Sequence, residues 1–368
     1  MFIKYKIGTQ EYRVTFCPDK EEPTIAKDLS RLYSDKKILL IIDKKVNKDV
    51  IQNLIKDLKN STSTLEFIMV DGEKKNKNYK LLFNIIDKLI KKKFTKKSVI
   101  ISCGGGVVGD VSALASSLYL RGLIYFHIPT TMTAIVDSCI GGKTAINYKG
   151  IINAIGNYYH PLNVYISKNI INLIPKREFL AGIPEIIKCG LINNKRIIKI
   201  LINNKKFFIK RNYKFLSDLI KLTLQTKIKF FKHDIHENNK RLNLNFGHTF
   251  AHAIEMSLDK SNDVIRHGEA VGIGLLSEIY YYDGKNKNFL LTKKILHQYN
   301  LPTNIKNFFN KKYNNVIKNK INSNIFLDKK KINQYPIYIK LLGIGKTQIS
   351  ELRDFKKIIK TIKEVIIW

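Results

Sequence analysis

SVIISCGGGVVGD (98–110) is an apolar run that breaks into three glycines and resumes in small residues through Leu114 and Ala115. It reads as a strand ending in a tight turn that opens a helix. Such a turn brings bare backbone N–H groups to the positive end of a helix, where an anion can be held. A plain tight turn explains the same residues, because the G-x-G-x-x-G spacing of the usual dinucleotide fingerprint is missing.

Outward from this stretch, the N-terminal half alternates. EYRVTFC (11–17), KKILLIID (36–43), LEFIMV (65–70) and LIYFHIP (123–129) read as strands. Between them VNKDVIQNLIKDLKN (46–60) and YKLLFNIIDKLIKKKF (79–94) run at helical period. This order predicts a mostly parallel sheet covered on both faces, with ligands gathered beyond the carboxyl ends of its strands. Those ends carry Asp43, Asp71 to Glu73, Gly104 to Gly106, and Thr130 with Thr131. An acid after an early strand suits ribose hydroxyls, and equally suits an ordinary turn before Lys44.

From Lys176 onward strand-like alternation nearly disappears, and helical patterns such as REFLAGIPEIIKCGLI and LNFGHTFAHAIEMSL take over. The expectation is an α/β domain over 1–170 and an all-α domain over 171–368, with the boundary between Pro161 and Pro175. QYPIYIKLL (334–342) is a possible short extended piece, and no internal repeat is visible.

Composition narrows the class. A chain of 368 residues with 44% hydrophobic content supports two folded cores. Four scattered cysteines suggest neither a disulfide framework nor a zinc knuckle. No signal peptide is read before the first strand and no apolar run reaches spanning length, so a soluble cytoplasmic protein without membrane association is expected. The formal charge is +35, from 65 Lys plus Arg against 30 Asp plus Glu. That excess is mostly lysine, spread end to end beside many asparagines and isoleucines, which looks like codon drift in an A/T-biased reduced genome. Loose polyanion binding at low salt is expected, and specific nucleic-acid binding is not.

Two patches carry chemistry. His248 and His252 stand four apart on one face of an expected helix, with His267 and Glu269 after a loop. Imidazoles with a carboxylate suit zinc, Glu185 is a candidate distant ligand, and hydrogen-bonded structural histidines are the competing reading. In IPTTMTAIVDSCIGGKTAIN (128–147), Asp137 and Lys143 flank a glycine pair suited to a carboxylate or phosphate.

In order and spacing, DGE (71–73), GGGVVGD (104–110), RG (121–122), IPTTMTAIVDSCIGGKT (128–144), PEIIKCGLI (184–192), RLNLNFGHTFAHAIE (241–255) and RHGEAVGIG (266–274) resemble the 3-dehydroquinate synthase family, over about 35–350. The resemblance implies an N-terminal nucleotide-binding α/β domain, a helical metal-binding C-terminal domain and a homodimer. It implies conversion of 3-deoxy-D-arabino-heptulosonate 7-phosphate to 3-dehydroquinate and phosphate. NAD would oxidise the substrate transiently and take part again in re-reduction, around phosphate elimination and before an aldol closure, with Zn2+ as Lewis acid and Co2+ as a substitute.

Carried over residue by residue, Asp43, Asp71, Gly72, Glu73, Gly104, Gly105, Gly106, Val107, Asp110, Thr130, Thr131 and Lys143 would contact NAD. Glu185, His248 and His267 would bind the metal. Lys143, Lys188, Lys227, Arg241, Asn245 and His252 would be catalytic, while Arg121, Asp137, Asn153 and Lys330 would bind substrate.

Several positions depart from the family pattern. Ile152 and Asn76 stand where lysines are usual, with Lys149 a possible substitute for the first. Ala145 and Ala251 replace glycines, Pro184 an alanine, and Ile235 and Asn239 a Glu and a Gly. Asn333 and Gln334 lie in a segment that usually bears glycine and arginine. These changes read as erosion that lowers efficiency. The rival readings are a related sugar-phosphate cyclase, a metal-dependent polyol dehydrogenase, and a catalytically eroded structural or interaction protein.

Overall fold

The computed structural model describes residues 1–18, 25, 28, 36–60, 64–258, 264–309, 314–327 and 331–367. The chain divides into two compact units, Met1–Phe179 and Leu180–Trp368, so the division falls past Pro175 rather than before it.

Unit 1 contains strands β1 (Phe2–Ile7), β2 (Gln10–Cys17) and β3 (Lys37–Asp43), helix α1 (Lys48–Lys59), strand β4 (Thr64–Val70) and helix α2 (Tyr79–Lys91). There follow β5 (Val99–Gly104), α3 (Gly106–Leu118), β6 (Ile124–Pro129), β7 (Lys143–Tyr148), β8 (Ile151–Tyr158) and β9 (Asn163–Ser167). Seven strands form one sheet in the order β1-β2-β9-β6-β5-β3-β4, parallel except for the β1–β2 pair. β5 is buried along its whole length, as a central strand covered on both faces must be. One apolar cluster, with Leu39, Ile41, Ile100 and Leu114, lies on one face, and a second, with Ile38, Leu40, Ile101 and Phe126, on the other. After β4 the chain returns to the opposite side of β3 and continues outward from β5. The strand order therefore reverses between β3 and β5, where open α/β sheets leave a crevice. β7 and β8 form a separate antiparallel hairpin that pattern reading missed, because β8 is exposed along most of its length and has no buried face to mark it.

A buried polar chain lies under the first turn of α3. Ser102 Oγ is 2.7 Å from His127 Nδ1 and 2.6 Å from the Tyr125 hydroxyl, which donates to Gly109 O at 3.1 Å. Burial penalises the charged imidazole and pulls the His127 pKa from 6.5 to about 4.

In unit 2 the elements used below are helices α4 (Ile183–Asn193), α5 (Tyr213–Phe231), α6 (His248–Leu258) and α7 (His267–Asp283), and strands β10 (Lys331–Ile332), β11 (Tyr335–Gly343) and β12 (Lys346–Glu351). The unit is mainly helical, but the three strands form an antiparallel sheet, so the extended piece expected at 334–342 has partners on both sides. Helices hold this sheet through its backbone. Thr249 Oγ1 donates to Ile337 O at 2.7 Å, Glu278 accepts from Ile339 N at 2.8 Å, and Gly345 N donates to Leu191 O at 2.8 Å. α6 and α7 pack closely because Gly274 has no side chain: a Cβ there would overlap the Gly247 carbonyl. Asn333–Gln334 is the two-residue turn between β10 and β11, with φ of +45° and +72°. A turn with both central residues left-handed favours glycine.

Two expectations follow. Between pH 4 and 6.5 the unfolded chain takes up more protons at His127 than the folded chain, so its contribution to stability falls as pH falls through that window. A His127→Gln variant is therefore expected to lose stability less steeply over the same range, measured by urea midpoints. Gln334→Gly is expected to raise stability by about 1 kcal/mol by relieving the left-handed turn, read from the same titrations at neutral pH.

Candidate active site

One candidate region is the carboxyl edge of the unit 1 sheet. A Cβ on Gly72 would strike the Asp43 carboxylate and come within 3.1 Å of Val108, so β3, the loop after β4 and the first turn of α3 converge. The glycine turn is glycine for want of space. A Cβ on Gly104 would lie 2.6 Å from that of Val108, and one on Gly105 would lie 3.0 Å from Thr131 Cγ2. Gly105 is the N-cap of α3 and supplies no side-chain cap, and such a helix start presents backbone donors to an anion. Asp43 is buried and accepts Lys45 N at 3.0 Å, while Asp71 accepts Glu73 N at 3.1 Å, so both acids also serve their turns. Lys45 and Lys75 flank Glu73 at 3.1 and 2.8 Å and lower its pKa.

Asp110 and Lys143 line one cavity with Tyr125 and His127. Asp137 sits in a π-helical turn, Ala134–Ser138, and Arg121 has a left-handed φ of +61°. Asn153 is also left-handed and donates its N–H to Asn147 Oδ1 at 2.9 Å. Lys149, the expected substitute at the hairpin, lies over the ring of its neighbour Tyr148. The lysine brought to Asn153 is Lys77, whose Nζ is 2.6 Å from Asn153 Oδ1 and 2.5 Å from Asp110 Oδ2. Lys77 directly precedes Asn78, the N-cap of α2.

A separate candidate region lies within unit 2. Glu185, on the first turn of α4, is fully buried. Lys188, one helical turn on and itself buried, forms an ion pair with Glu185 Oε2. Glu185 Oε1 faces two imidazoles, 3.7 Å from His248 Nε2 and 3.4 Å from His267 Nε2. Ligand atoms of these three residues all lie within 4.8 Å of one another. The other ring nitrogens are engaged: His248 Nδ1 is 3.2 Å from Phe246 O, and His267 Nδ1 is 3.1 Å from Glu255 Oε2. Acceptors at both Nδ1 atoms favour protons there, so that in a neutral ring Nε2 is the nitrogen that would bind a metal. Burial opposes a charge on His267, but the charge of Glu255 and hydrogen bonds to Glu185 and Glu255 raise its pKa to about 10. The point they enclose thus favours positive charge, and a carboxylate with two imidazoles matches a zinc ligand set with a position left for substrate.

The ring of His252 lies 5.5 Å from that of His248, centre to centre, and His252 is not among the three clustered ligands. Glu269 accepts Arg266 N at 2.9 Å and so caps α7. Glu255 is the functional candidate that sequence reading passed over: it is seven residues beyond His248, two turns along the same helix face.

Around this centre α4 packs against α5, and both contact the 3-10 segment Lys240–Asn245. Lys227, Arg241 and Asn245 on these elements are all buried. Arg241 lies over the Phe231 ring at 5.5 Å and donates from Nη1 to Ile235 O at 2.7 Å. Lys330 lies outside the described residues.

Glu255→Gln is expected to weaken zinc binding roughly 10–100-fold, measured by chelator competition. A His252→Ala variant should retain zinc, and His248→Ala with His267→Ala should lose it; equal loss in all three would overturn the ligand assignment.

The model of the 3-dehydroquinate synthase N-terminal region matches residues 66–181, and that of the 3-dehydroquinate synthase C-terminal region matches 182–331. Among relatives, the 3-dehydroquinate synthase of Pelagibacter ubique is 37% identical over 330 residues, 86% of each chain. That of Clostridium tetani is 33% identical and covers 98% of this chain and 94% of its own. Among solved structures, 2-deoxy-scyllo-inosose synthase with carbaglucose-6-phosphate, NAD+ and Co2+ matches at TM-score 0.84 and 22% identity, covering 100% of both chains. A valiolone synthase from Streptomyces hygroscopicus with NAD+ and Zn2+ matches at TM-score 0.83 and 20% identity, covering 96% of each. A probable glycerol dehydrogenase from Sinorhizobium meliloti matches at 0.66 and 14%, covering 95% of each. Fold likeness thus extends to other cyclases and to a dehydrogenase, whereas sequence likeness through both units is to 3-dehydroquinate synthases: the chain belongs to the 3-dehydroquinate synthase family.

Proposed function

We propose that this protein converts 3-deoxy-D-arabino-heptulosonate 7-phosphate to 3-dehydroquinate and phosphate, as a lyase using NAD and a divalent metal. The observation that carries the reading is family membership across both units combined with the Glu185, His248 and His267 cluster. When bound, NAD and Zn2+ or Co2+ would supply a reversible oxidation of a secondary alcohol and its Lewis-acid activation.

The residues present fit both groups. Glu185 Oε1 and the two Nε2 atoms would hold the metal, while Lys188 offsets the charge of Glu185 and Glu255 orients His267. The turn Gly104, Gly105, Gly106 and Val107 would take the NAD pyrophosphate, and Asp43, Asp71, Gly72 and Glu73 the ribose and adenosine. Asp110, Thr130, Thr131 and Lys143 would complete the cofactor's surroundings. Lys77 joins this set through its contacts with Asp110 and Asn153.

Lys188, Lys227, Arg241 and Asn245 are assigned to the substrate's carboxylate, oxyanion and phosphate, with Arg121, Asp137 and Asn153. Cationic groups that are buried and fixed in place stabilise developing negative charge more strongly than exposed ones. His252 is assigned to the substrate phosphate. A cytoplasmic homodimer is part of the same reading. β8, with Ile151, Ile152 and Ile155 exposed, offers a face for a second copy, and no helix among the described residues is long and apolar enough to cross a membrane.

The deciding assay combines purified protein, the heptulosonate phosphate, NAD and zinc. One phosphate released per dehydroquinate formed, with NADH not accumulating and activity lost on chelation, is the expected result. Stoichiometric NADH would indicate a dehydrogenase, and no turnover would sink the proposal.

A further inference from the structure

The loop between α5 and the Lys240–Asn245 segment is organised by one carboxylate. Asp234 Oδ1 accepts the N–H of Asn238 at 2.9 Å, and Oδ2 accepts those of Asn239 and Arg241, each at 2.9 Å. Its own carbonyl accepts Glu237 N at 3.3 Å. Burial works against the Asp234 charge, but these donors and the Arg241 charge outweigh it and lower the carboxyl pKa. The loop so gathered then holds two assigned substrate groups. Ile235 O receives Arg241 Nη1 at 2.7 Å, and Glu237, with a left-handed φ of +61°, receives Asn245 Nδ2 at 2.9 Å.

We propose that Asp234 is a positioning residue for substrate binding: by gathering three backbone N–H groups it sets the loop from which Ile235 aims Arg241 and Glu237 aims Asn245. The inference rests on the assignment of Arg241 and Asn245 to substrate. Its physical basis is that the Arg241 side chain is almost fully buried, so the direction of its donors depends on its surroundings and not on solvent. Three charge-assisted bonds to one carboxylate remove freedom from the segment that supplies those surroundings. The Glu-to-Ile change at position 235 leaves this arrangement standing, because residue 235 contributes a backbone carbonyl.

The test uses the full-length zinc-loaded protein and two variants, Asp234→Ala and Asp234→Asn. For Asp234→Ala the KM for the heptulosonate phosphate should rise roughly tenfold while kcat changes less than about threefold, the signature of lost ground-state positioning. Asp234→Asn, which keeps one acceptor oxygen, should fall between parent and alanine. The Asn238, Asn239 and Arg241 amides should exchange more than about tenfold faster in the alanine variant, with zinc content unchanged. A lowered melting temperature with parental KM in both variants would show a merely structural role and overturn the inference. Parental exchange at the three amides would do the same. Failure of the parent protein to turn over the substrate would overturn the proposed function instead, and the exchange measurement would still decide whether Asp234 organises the loop. Should Asp234→Ala not fold, Asp234→Asn carries both readouts.

Discussion

Glu185, a carboxylate of unit 2 that is wholly out of water, is answered by positive charge. Burying an ion costs several kcal/mol unless it is paired and well bonded. Lys188 supplies part of the answer on one oxygen, and two imidazoles face the other. Phe246 O and Glu255 in turn fix which nitrogens those imidazoles present. The packing of α6 against α7, with Gly274 against the Gly247 carbonyl, keeps both histidines within reach of one oxygen atom. The centre is therefore a chain of compensations, each link set by the charge before it.

Unit 1 works on a different principle. Its crevice arises from topology, where strand order reverses between β3 and β5, and small side chains keep it open. Here the groups brought together are mainly backbone donors and short acids, which suits a ligand that is long, polar and phosphorylated. The polar chain through His127, Ser102 and Tyr125 ends on Gly109 O and so ties the first turn of α3 to the sheet beneath it.

Much of this was legible in the amino-acid order. Apolar runs such as KILLIID and VIISCG belong to central strands, which leave little ambiguity of period. The spacing of His248 and His252, with His267 after a loop and Glu185 at a distance, was enough to raise a metal centre, although His252 is not among the clustered ligands. Less visible were features whose meaning lies across the fold. Glu255 looks like any helical glutamate until His267 is placed beside it, and Lys77 is one lysine among many until the cap at Asn78 sets its register. β8 lacks the alternation of a half-buried strand, and β10 is only two residues long. The inner strand β9 is only five residues long and pairs with β2, far away in the chain.

Backbone atoms carry no record of side-chain identity. Ile235 touches Arg241 through a carbonyl, and the N–H groups that meet Asp234 would be present in any residue but proline. A contact made through backbone atoms survives a change of residue type, so percentage identity, which counts letters, is blind to contacts of this kind.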